Sequence, residues 1–161
     1  MVITANIFGF ELVGSTCKRI VPVGATGSSV HGITSSGIVV GDVYSGSYLN
    51  FLFEHGRYKH LPIPNAPEAV VAGINDTGTA VAGYYTPSPG VTAGFLFQNK
   101  TLQMLQFPGS SDTHTSGVND AGEVVGQFQD ASGKSHGFTW TPPADAAKEI
   151  VQSPARCVMH K

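Results

Sequence analysis

The sequence predicts an all-β repeat protein, and three observations carry the prediction: a fixed internal period, strand-type patterning within it, and tight-turn residues between the strands. The period is clearest in HGITSSGIVVGDVY (31–44), AGINDTGTAVAGYY (72–85) and SGVNDAGEVVGQF (116–128), three copies of Gly-(Ile/Val)-x-x-x-Gly-x-x-x-Gly with small drift. Their opening glycines, Gly32, Gly73 and Gly117, stand 41 and 44 residues apart. A second half-unit follows over 50–64, 94–109 and 137–154, led by Phe51, Phe95 and Phe138 at steps of 44 and 43. A further copy of that half, GFELVGSTCKRIVPVG (9–24), opens the chain. The 161 residues therefore read as one domain with a half unit at 9–24, units at 31–64, 72–109 and 116–154, and a tail at 155–161.

Each unit reads as four short strands. The first is the run ending in Gly-Ile or Gly-Val. Asn75-Asp76-Thr77-Gly78 and Asn119-Asp120-Ala121-Gly122 then supply the residues that tolerate a left-handed turn, with Ser35-Ser36-Gly37 as a weaker copy. The second strand, Ile38–Tyr44 in the first unit and Glu123–Phe128 in the third, is rich in β-branched and aromatic residues. Its central glycine, repeated in every copy, has no side chain to pack and predicts a bulge or a close approach of neighbouring backbone. The second unit holds one more residue between Gly78 and Gly83 than its siblings, which predicts a bulge near Thr79–Ala82. In the third strand the aromatics alternate, as in Phe51-Leu52-Phe53, Phe95-Leu96-Phe97 and Phe138-Thr139-Trp140, so they share one face and read as core. The fourth strand, His60–Ile63 or Leu102–Phe107, ends in proline, which suits a sheet edge. Ala144–Val151 alone has a helical composition.

Four strands per 41–44 residues match a β-propeller blade, and blades need neighbours on both faces. Three and a half units leave open ends, so a homodimer closing a ring of about seven blades is the expected assembly. A β-trefoil, also built from three four-stranded repeats, is the competing fold, followed by an irregular solenoid or sandwich.

Composition removes several function classes. Charged residues make up 12% of the chain, about half of the usual 25%, so the surface is polar without being charged. A net charge of −2 lacks the basic field of a nucleic-acid binder. No apolar run approaches the roughly 18 residues of a membrane span, and MVITANIFGFELVG lacks the regions of a signal peptide. Cys17 and Cys157 have no zinc-type spacing, so neither metal nor cofactor is expected. They would close a long loop as a disulfide if the ends meet, or else are two unrelated thiols.

Gly-Ile-Asn-Asp-x-Gly, then Val-Val/Ala-Gly-x-Tyr/Phe, Gly-Phe-Leu-Phe and Leu-x-x-Pro-Gly resemble the bacterial extracellular HAF repeat. The likeness spans residues 9 to 154 and is strongest over 72–109. It implies a propeller-like repeat protein exported by bacteria, hence an extracellular or periplasmic location, and it brings no catalytic residues.

Catalytic groups should break the repeat. His31 aligns with Ala72 and Ser116, His136 aligns with Ala93, and His55, His60, His114 and His160 have no repeated counterparts, which excludes a symmetric histidine metal site. No nucleophile elbow or phosphate loop occurs. Asp42, Asp76, Asp112, Asp120 and Asp130 read as turn formers. The glycosylation sequons at Asn75 and Asn99 read as chance matches. What remains is a low-charge surface in which Tyr44, Tyr84, Tyr85, Gln127 and Phe128 follow the second-strand glycine; these are the candidate ligand-binding residues, suited to stacking on a glycan or an extended peptide. Packing of alternate members between sheets is the competing reading. The expected function is thus a non-enzymatic binding or assembly module. The alternatives are a propeller-type hydrolase or lyase, which would gather His31, His114, His136 and acids in one channel, and a self-associating structural fragment.

Overall fold

The computed structural model describes residues 7–44 and 48–143. Within them every regular element is a strand. A two-stranded sheet of β1 (Gly9–Val13) and β2 (Thr16–Ile20) comes first. Next is a four-stranded sheet of β3 (Ser28–Ile33), β4 (Val39–Tyr44), β5 (Tyr48–Glu54) and β6 (Arg57–His60). The third sheet holds β7 (Val70–Ile74), β8 (Ala80–Ser88), β9 (Val91–Gln98) and β10 (Thr101–Leu105). The last holds β11 (Thr113–Val118), β12 (Val124–Gln129) and β13 (Ser135–Trp140). Each sheet is an antiparallel meander built from one repeat. A trefoil barrel, whose strands pair across repeats, is not formed by these residues. The fourth strand of the last unit and the helical composition at Ala144–Val151 fall outside the described residues, as does Cys157; Cys17 is exposed.

The second-strand glycine has a specific cause. Gly41, Gly83 and Gly126 lie directly opposite Phe51, Phe95 and Phe138, and the rings lie over the gap where a side chain would stand. A Cβ on Gly83 would come within 2.0 Å of the Val70 carbonyl oxygen and 2.8 Å of the Phe95 ring, and Gly41 and Gly126 are equally closed. The close approach read from the sequence is therefore real. The bulge expected near Thr79–Ala82 lies instead in the facing first strand, between Val71 and Gly73, and recurs at Val30/Gly32 and Thr115/Gly117. The extra residue of the second unit is taken up in the turn instead, since Ile74 pairs with Val81 whereas Ile33 pairs with Val39 and Val118 with Val124. Asn75 makes the longer turn possible, its side-chain oxygen accepting from the amides of Thr79 and Ala80 at 2.9 and 2.8 Å. Asn119 does the same for Ala121 and Glu123. The fourth strand of the first unit also starts earlier than its sequence suggests, because Pro62 and Pro64 cannot continue a ladder.

Successive sheets pack on one another through three apolar clusters. Ile20 meets Val39, Val43, Phe51 and Phe53; Val40 meets Val71, Val81 and Phe95; Ala82 and Leu96 meet Val124 and Trp140. Buried polar side chains cross each junction. Ser28 donates to the Ile20 carbonyl at 2.6 Å and accepts from the Gly9 amide. Asn50 bridges to the Ala69 carbonyl and the Val71 amide. The Thr115 hydroxyl reaches the carbonyls of Gly83 and Phe95. Among the described residues every buried side-chain polar atom is partnered, so these crossings add direction without an unmet desolvation cost. The turns are joined as well: Asp76 accepts from the Ser35 amide at 2.5 Å and its hydroxyl at 2.8 Å, and Asp120 accepts from the Thr77 amide at 3.0 Å.

Candidate functional site

The residues after the second-strand glycine separate by strand alternation. In β8 and β12 the second residue after the glycine points into a sheet junction, so Tyr85 is 7% and Phe128 2% exposed. Tyr85 sits edge-on to Phe95, and burial pushes its phenol above the usual range. Phe128 stacks on Phe107 with ring centroids 3.5 Å apart. Both are core residues, which corrects their assignment to a ligand surface. Tyr44 and Gln127 are exposed, and Tyr84 is half-buried with its ring 4.2 Å from that of His114. These three stand on different sheets, in β4, β8 and β12.

The histidines do not converge. His31 pairs with Asp42, His114 with Asp112 at 2.8 Å, and His136 with Asp130 at 2.7 Å. Asp42 is a buried strand residue and Asp112 leads into β11, so their carboxylates serve histidines rather than turns. Asp130 is a turn acid: the Ser132 hydroxyl, the His136 ring and the Lys134 amide hold its carboxyl far below the ordinary carboxylate range. Ser132 and His136 each bind the Asp130 carboxylate, on Oδ1 and Oδ2 respectively. Among the described residues no group of three or more potential metal ligands is found. No helix there is long and apolar enough to cross a membrane. The Asn75 sequon is closed, because its amide is buried and also donates to Thr77 Oγ1 at 2.7 Å.

Two surfaces stand out by contrast with the interior. On the outer face of β1–β2, Phe10 and Leu12 are 59% and 62% exposed, whereas Phe51 and Phe53 at the same repeat positions are 3% and 6% exposed. On the outer face of the last sheet Val125 is 49% exposed, while its counterparts Val40 and Ala82 are fully buried. A groove of about 400 Å³ runs along that face, lined by Ser116, Val125, Gln127, Ser135 and Gly137 among others. Sequence reasoning passed over both. The signal was present in the alignment of Phe10 with Phe51, since the half unit at 9–24 carries the same apolar residues as a full unit.

Comparison with family models, curated proteins and solved structures finds no match to this chain.

Proposed function

We propose that the chain is a non-enzymatic binding and assembly module, a propeller-like repeat protein of a bacterial surface or secreted system, acting through its outer faces. The exposure of Phe10 and Leu12, at positions that every complete unit buries or half-buries, carries the reading. Propeller-like geometry is supported by the first strands: a Cβ on Gly32 would lie 3.2 Å from the Ile74 amide nitrogen, and one on Gly73 2.9 Å from the Ser116 oxygen. Glycine at the bulge thus lets β3, β7 and β11 crowd together, as inner strands do about an axis. The likeness to HAF repeats supports export to an extracellular or periplasmic setting. Tyr44 and Gln127 remain the exposed groups suited to a glycan or protein ligand.

Light scattering of the purified chain across a dilution series tests self-association. A dimer near twice 16.8 kDa is expected. A monomer at every concentration overturns the assembly reading.

A further inference from the structure

We infer that the outer face of β1–β2 in one copy docks on the outer face of β11–β13 in a second copy, reproducing between chains the contact that joins successive sheets within one. The inference rests on the assembly reading above and names its two surfaces.

The internal junctions are the template. At the two junctions between the larger sheets, alternate residues of one sheet's third strand enter a facing sheet through its second and third strands. Phe95 and Phe97 meet Val40 and Leu52, and Phe138 and Trp140 meet Ala82 and Leu96. Projected one step on, the receiving positions are Val125 and Thr139, both exposed. Projected one step back, the inserting positions are Phe10 and Leu12, also exposed. Among the described residues there is therefore one unmatched inserting face and one unmatched receiving face, and they are complementary in kind.

The receiving face also keeps the space an incoming sheet requires. Gly94 in the third sheet is filled over: a Cβ there would lie 2.6 Å from Thr115 Cγ2. At the equivalent Gly137 the nearest atom would be 3.9 Å away, and the groove of about 400 Å³ lies alongside it. The β1–β2 sheet is anchored on its inner face, with Ile20 buried and Lys18 Nζ 5.3 Å from the Phe53 ring centre, so its outer face is held outward. Strand-edge pairing of β1 with its own copy, the symmetric alternative, would leave the groove on the last sheet unused. A head-to-tail contact repeats, so each copy both gives and receives.

Two charge variants at exposed positions decide the matter, Leu12→Glu on the inserting face and Val125→Glu on the receiving face. Circular dichroism confirms that each stays folded. Each variant alone should lose self-association by about tenfold or more, since a carboxylate would be desolvated at the contact. An equimolar mixture should recover a two-chain species, because one variant keeps an intact receiving face and the other an intact inserting face. Association of the unsubstituted chain that Val125→Glu leaves unchanged, or variants that do not complement in the mixture, overturns this inference alone. An unsubstituted chain that stays monomeric, with residues 144–161 or nothing over these faces, overturns it together with the reading it rests on.

Discussion

The sheet β7–β10 and the sheet β1–β2 are written in the same repeat, yet one is covered on both faces and the other on one. Phe95 is fully buried between β4, β8 and the linker at 63–69, while Phe10, at the same repeat position, is mostly in solvent. The residue type is equal, so the difference lies in neighbours. In a stacked repeat the energy of an aromatic belongs to the junction it enters and not to its own strand.

Truncation should expose that difference most strongly. Phe95→Ala is expected to destabilise the fold by about 3–5 kcal/mol, whereas Phe10→Ala in dilute monomer should change it by less than about 0.5 kcal/mol. Urea unfolding of both variants measures the contrast, and equal losses would mean that the terminal face is covered. Glycine gives a matched pair of opposite kind. Gly94→Ala meets Thr115 and should cost about 1–3 kcal/mol, while Gly137→Ala meets open space and should stay within about 0.5 kcal/mol.

A smaller effect separates the hairpin turns. His55-Gly56 and Asn99-Lys100 both adopt positive φ, but Lys100 at +61° pays for its Cβ where Gly56 does not. Lys100→Gly should therefore raise stability by about 0.5–1 kcal/mol, read as a higher Tm. The smallest effect concerns the joined turns. The Ser35 amide and hydroxyl hold the Asp76 carboxyl below its ordinary value of 3.8. A carboxyl lowered by folding stabilises above its unfolded value and loses that contribution as pH falls through its folded value. Asp76→Asn should accordingly flatten the acid side of the stability profile below about pH 4 and leave the slope near pH 7 unchanged.

Much of the architecture was legible in the sequence. The period located every sheet of the described residues, the Asn-Asp pairs located turns, and the recurrent second-strand glycine announced a bulge or a crowded backbone, whereas the Asn99-Lys100 turn was not read. The position of the bulge was not legible, because an extra residue can be absorbed either in a strand or in a turn; the side chain of Asn75 settles it in the turn. Among the candidate ligand residues, Tyr85 and Phe128 misled because aromatic side chains suit a binding surface and a sheet junction equally well. Their strand parity, counted from Gly83 and Gly126, is what places them inside.

By itself the sequence determined that this chain folds as successive antiparallel sheets, one to each repeat, since glycine, turn and aromatic spacings are local and repeat with the backbone geometry they require. Only the tertiary structure decided which histidines meet which carboxylates and which faces of equal composition remain open. Pairing across strands and stacking across sheets depend on register and on the presence of a neighbour, and neither is written in the local pattern of Phe10 or of Phe95.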